Sequence, residues 1–236
     1  MQSGSQTRCI DIRKFFAIVH KDLLFEWRTK DWWLGMVTFV LMVLLVFAFA
    51  LDSLNHVFRQ IFPGMLWITF LFAGILGINK AFQREEAEDT LTGLFLAPGD
   101  RLAVYAAKMT VAFLFMLVTE LVSVPAFFIL FNFNFNEGFA VHVGGFLVTL
   151  VLGALGLVEI STLLAAVSIH VKNGDMLLSL FAIPLEIPVL IMAVQATAGV
   201  LMPRPPHVSL WIHGLIAYDL IFLAVGLMLS DYLWEV

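Results

Sequence analysis

Four carboxylates, Glu120, Glu159, Glu186 and Asp219, stand inside long apolar runs, where an acid can relay a proton, border a transport path or hold helices together by hydrogen bonding. At ~1.5 Å of rise per residue all four fall within the central half of a bilayer. A charge left facing lipid there costs roughly 2.5–3.5 kcal/mol, and no Lys or Arg lies at matching depth. The acids are therefore expected to face protein, as protonated groups, as hydrogen-bonded groups or beside water. Glu186 is flanked by Pro184 and Pro188, which remove two backbone donors; this predicts a bent helix with carbonyls in need of partners. His56, His142, His207 and His213 lie near one face of the spans, but their spacing brings no pair together to ligate a metal. Phosphate-loop, His-Glu-x-x-His, Gly-x-Ser-x-Gly and Cys-x-x-Cys motifs are missing, so neither a catalytic nor a metal site is assigned.

The elements that must carry these residues follow from composition. The chain has 236 residues, 61% of them hydrophobic, with 13 Lys and Arg against 18 Asp and Glu, and a mean hydropathy of +0.96. A soluble, disordered or disulfide-stapled fold does not fit these values. The single Cys9 precedes the first apolar run and points to a reducing, cytoplasmic side, and a net charge of −5 gives no basic patch for nucleic acid. Six apolar segments are expected, at about Trp33 to Leu51, Ile61 to Ile78, Val104 to Phe131, Val141 to Ile169, Met176 to Met202 and Leu210 to Leu229. The fold class is all-α integral membrane protein. No small-residue cleavage site follows the first span, which is expected to be an uncleaved anchor.

Six spans divide the basic residues unevenly. Arg8, Arg13, Lys14, Lys21, Arg28, Lys30, Lys80, Arg84, Arg101, Lys108 and Lys172 fall on the side of the N-terminus, with only Arg59 and Arg204 opposite. Both termini are therefore expected in the cytoplasm. Residues 1–31 form a cytoplasmic N-terminal segment and residues 32–236 the six-span body. Within the first segment Ile12, Phe15, Phe16, Val19, Leu23 and Trp27 recur at helical spacing opposite Arg13, Lys14, Lys21 and Arg28. That pattern predicts an amphipathic helix on the inner membrane surface, with packing against the cytoplasmic loop as the alternative. The outer connections, Asp52 to Gln60, Asn132 to Ala140 and Pro203 to Ser209, leave no room for an external domain. On the fourth span Gly145, Thr149 and Gly153 make a small-residue stripe for close helix approach, within one subunit or between two.

The longest cytoplasmic connection, about residues 80–103, is acidic first and apolar second. Leu91, Leu94 and Phe95 share one side of a short predicted helix ended by Pro98, with Gly99-Asp100 as a turn and N-cap. An apolar turn with nothing evident in the chain to cover it implies a partner. Folding back on the surface helix or the bilayer is the alternative.

The acidic stretch, Asp89-Thr90-Leu91, Leu94-Phe95-Leu96-Ala97-Pro98 and Ala103 to Lys108 together resemble the loop between spans two and three of the haem exporter protein B family. Phe62-Pro-Gly-Met-Leu-Trp67, Asn173-Gly174 to Leu180 and Pro184-Leu-Glu-Ile-Pro188 extend the likeness over nearly the whole chain. Asp89 stands where the family usually has Gly, and Thr92 where it often has Glu. The resemblance implies an ABC-2-type permease of the bacterial inner membrane, non-catalytic itself, serving cytochrome c maturation as a homodimer. The implied partners are an ABC ATPase subunit, a haem-handling membrane protein, a small one-span subunit and a haem chaperone. It implies ATP on the partner subunit, haem handled by the complex with no cofactor assigned to this chain, and Glu88, Asp89, Thr90, Leu91, Leu94, Phe95 and Pro98 as the ATPase contact. Direct export of haem or another hydrophobic molecule is the alternative function, and an intramembrane enzyme built on Glu120, Glu159 and Glu186 a third.

Overall fold

The computed structural model describes residues 12–50, 55–87, 101–130, 139–168, 174–201 and 208–233. Seven helices account for nearly all of them: α1 Ile12–Thr29, α2 Asp31–Ala50, α3 Asn55–Ala87, α4 Arg101–Leu130, α5 Phe139–Ser168, α6 Gly174–Leu201 and α7 Val208–Leu233. Six, α2 to α7, are long and apolar enough to cross a membrane, and the fold is all-helical as the six apolar segments require. One boundary differs substantially. The second segment reads as eighteen residues, but α3 has 33 and also takes in most of the expected connection before Ile61. Apolar length reports membrane thickness, whereas the flanking Asn, Gln, Arg, Glu and Ala residues continue the helix into polar surroundings.

α5 is the hub, packing on α3, α4, α6 and α7. Two glycines let it sit so close. A β-carbon at Gly153 would collide with the indole of Trp67 on α3, and one at Gly145 would stand 3.2 Å from Val200 on α6. Thr149 between them is buried, its hydroxyl donating to the Gly145 carbonyl at 2.8 Å. The small-residue stripe thus packs inside the subunit. Trp67 in turn donates from Nε1 to Thr197 Oγ1 of α6 at 2.9 Å, so the ring that fills the Gly153 notch also joins α3 to α6. α2 and α7 are the rim: only 22% and 17% of their most apolar windows are buried in the chain, against 72% for α3 and α5.

α1 does not form a free surface helix. Phe15, Ile18 and Val19 pack on Val104 and Ala107 of α4, while Ile12, Phe16 and Trp27 remain exposed at 65%, 63% and 75%. The stripe legible in the sequence is therefore split, half against α4 and half outward. Lys30 takes a left-handed backbone, φ 57°, between α1 and α2.

Candidate functional site: a buried acid cluster and a clamped helix end

All four intramembrane acids lie inside the bundle, with Glu186 fully buried and Asp219, the least covered, 4% exposed. Three of them converge. Counted along the helices from the end that carries α1, Glu159 lies nine residues before the end of α5, Glu186 twelve after the start of α6 and Asp219 fourteen before the end of α7. Those positions are at depths of ~14, ~18 and ~21 Å. Ser161 Oγ on α5 donates to Glu186 Oε1 at 2.6 Å. Asp219 reaches α5 at a bare helix position, where a β-carbon at Gly156 would stand 2.9 Å from Oδ1. Glu159 lies within electrostatic range of Asp219. Tyr218 lies within range of all three and donates its hydroxyl to the Leu185 carbonyl at 2.6 Å.

That last bond sits beside the α6 prolines. Pro188 withholds a donor from the Pro184 carbonyl, and the next carbonyl along the chain is the one that takes the Tyr218 hydroxyl from α7. α6 nevertheless runs as one helix from Gly174 to Leu201 through both prolines. Glu120 does not join the other three. It lies ten residues before the far end of α4, with Thr119 and Ser123 buried beside it. Neither Glu120 oxygen has a hydrogen-bond partner, and the same holds for both oxygens of Glu159 and Asp219, Oε2 of Glu186, and the hydroxyls of Ser123 and Thr162.

A second constellation lies at the end of α4 that follows the connection between α3 and α4. Lys108 Nζ meets Asp22 Oδ2 of α1 at 2.7 Å, with side chains only 8% and 12% exposed. One turn further along α1, Glu26 Oε1 accepts the backbone N–H groups of Trp32 and Trp33 at 3.0 and 3.1 Å. A carboxylate thus caps the start of α2, where the helix dipole favours negative charge. Lys80 of α3 donates to the Asp31 carbonyl at 3.2 Å. α1 is consequently bonded to α4 and to α2 at once. Sequence reasoning placed Lys108 only as a cytoplasmic positive charge and missed Asp22, Glu26, Ser161 and Tyr218. A lysine seven residues into an apolar helix was the available signal for the first pair.

The expected ATPase contact, Glu88, Asp89, Thr90, Leu91, Leu94, Phe95 and Pro98, lies outside the described residues. Of His56, His142, His207 and His213, the last is exposed. Among the described residues no group of three or more His, Cys, Asp or Glu is arranged to hold a metal ion.

The model of the family described as CcmB protein matches residues 13–228. Among similar proteins, Heme exporter protein B of Pseudomonas aeruginosa is 26% identical over 200 residues, covering 82% of this chain and 87% of that one. Its namesake in Bradyrhizobium diazoefficiens is 25% identical over 186 residues, covering 79% and 82%. The protein of the same name in Escherichia coli K12 is 26% identical over 191 residues, covering 81% and 84%. With six spans at the expected positions and a family match from the start of α1 into α7, this chain belongs to the CcmB family.

Proposed function

We propose that the chain is the membrane permease subunit of an ABC-type complex in cytochrome c biogenesis, and that it passes ATP-driven motion from a separate ATPase to a haem-loaded chaperone, which is thereby released. CcmB is a family of non-catalytic permease subunits, and the relatives' name, Heme exporter protein B, supports haem as the molecule served. The observation that carries the coupling reading is the clamp around α4. The connection containing Glu88 to Pro98 leads directly into α4, whose first two turns hold Val104, Ala107 and Lys108 against α1. A pull on that connection is carried to α1 through the Asp22–Lys108 pair, and to α2 through Glu26. From α4 it reaches the hub α5 and then α6, where Pro184 and Pro188 offer a place to bend.

In this scheme both termini are cytoplasmic and residues 1–31 form an interfacial segment whose outward Ile12, Phe16 and Trp27 meet the bilayer. Two copies of the chain work with two ATPases, and the haem-handling membrane protein and the small one-span subunit complete the complex. A second reading, direct export of haem, is favoured by the printed name of the relatives. The two separate in cells whose ATPase cannot hydrolyse ATP. The release reading expects haem to accumulate on the outer chaperone and stay there. Haem trapped in the cytoplasm, with purified complex moving free haem into vesicles only with ATP, establishes direct export and overturns the proposal.

A further inference from the structure

The buried acid cluster has a composition that neither packing nor haem handling requires. Three carboxyls come from three different helices, Glu159 on α5, Glu186 on α6 and Asp219 on α7, to similar depth in the membrane. Five of their six oxygens have no hydrogen-bond partner, and every such atom buried without one costs on the order of 1–3 kcal/mol. A group of purely structural acids would be joined to one another or to donors; here only Ser161 supplies one, to Glu186.

An independent observation comes from α5. Thr162 is fully buried, its hydroxyl has no partner, and it follows Glu159 by three residues, which puts the two side chains on one helix face. A hydroxyl in that position can donate to a carboxylate or accept from a carboxylic acid, so it suits either protonation state of its neighbour. Among the described residues, the other titratable groups within electrostatic range of these acids are phenols. Tyr218 of α7 lies within range of all three acids, and Tyr105 of α4 within range of Glu159. Among the described residues the one buried basic side chain is Lys108, which Asp22 engages at the end of the bundle. Among the described residues no buried cation therefore balances these carboxyls, and the acids are not arranged to hold a metal ion.

We propose that Glu159, Asp219 and Glu186 form a proton-binding site within the membrane, sharing protons across the α5–α6–α7 junction and exchanging them with solvent. The ligand is the proton itself. A site built from three helices changes its proton affinity when those helices shift: Glu159 and Asp219 lie within electrostatic range of each other, all three acids lie within range of Tyr218, and carboxyls that interact titrate as a set. The site thus gives the bundle a way of taking up or releasing protons as α6 and α7 move on α5. Glu120, alone in the other half of α4, lies outside it.

The test is infrared spectroscopy of the protonated-carboxyl carbonyl stretch in the purified whole complex, reconstituted in lipid and titrated in water and in D2O. A proton site gives a band that shifts on transfer to D2O and whose intensity titrates. Glu159→Gln, Asp219→Asn and Glu186→Gln should each remove part of the band and displace the titration of what remains, while Glu120→Gln should remove intensity without displacing it. A band that neither exchanges nor titrates in the wild-type complex, or three acids that titrate independently, overturns the proposal. Loss of the band on adding sodium at fixed pH makes the site a cation site and also overturns it. Where an amide variant fails to fold, Glu159→Asp or Asp219→Glu keeps the carboxyl and should shift the band and its titration; a folded variant of this kind that moves neither overturns the proposal.

Discussion

Replacing Asp22 by Ala leaves the Lys108 ammonium in the bundle without the carboxylate that meets it at 2.7 Å. At an effective dielectric constant of ~20 that separation corresponds to about 6 kcal/mol of attraction, much of which is offset by desolvating two ions. Removing one member of a buried pair typically costs 3–5 kcal/mol. The low end applies here, about 3 kcal/mol, because a four-carbon stem lets the ammonium reach towards the interface. For a chain of this size that corresponds to a fall in Tm of roughly 6–12 °C. Lys108→Met should cost less, since Asp22 keeps Lys21 at 3.1 Å. The double variant Asp22→Leu with Lys108→Met should return to within about 1 kcal/mol of wild type, because apolar residues of similar volume can replace such a pair. The assay is thermal unfolding of the detergent-purified protein, followed by tryptophan fluorescence, with protease accessibility of α1 as a second readout. A double variant as unstable as Asp22→Ala, or an Asp22→Ala protein as stable as wild type, would refute the clamp.

Gly153→Ala puts a methyl group into the Trp67 ring, so overpacking of about 1–3 kcal/mol is expected in the same unfolding assay. Trp67→Phe in the same chain should recover only part of the loss, because it frees space at the notch but removes the hydrogen bond to Thr197. Glu26→Ala uncaps α2 and should cost about 1 kcal/mol, seen as faster amide hydrogen exchange at Trp32 and Trp33 than in wild type.

Much of the fold was legible because lipid leaves only helices free to cross it, so each long apolar run had to be one. What the runs could not report was helix length: α3 passes its apolar segment at both ends because helix propensity, not hydropathy, governs the polar flanks. The burial of Glu120, Glu159, Glu186 and Asp219 followed from the cost of exposing them. Which of them meet did not follow, since that depends on the rotation of each helix about its own axis. Glu159 and Asp219, sixty residues apart, lie within electrostatic range of each other, whereas Glu120 stands on α4 ten residues from its far end. The Gly145, Thr149 and Gly153 stripe announced a close approach without naming Trp67 or Val200 as its object. The pairing of Asp22 with Lys108 was hidden by 86 residues of separation and by an amphipathic stripe on α1 that suits a membrane surface and a protein face equally well.

The central claim is that the connection ahead of α4 receives the ATPase. The most direct measurement is co-purification of the ATPase with a tagged Leu94→Asp chain, alongside cytochrome c production in the same cells. Normal membrane insertion with loss of both the bound ATPase and cytochrome c is the expected result; a normal amount of ATPase together with normal cytochrome c would contradict the account.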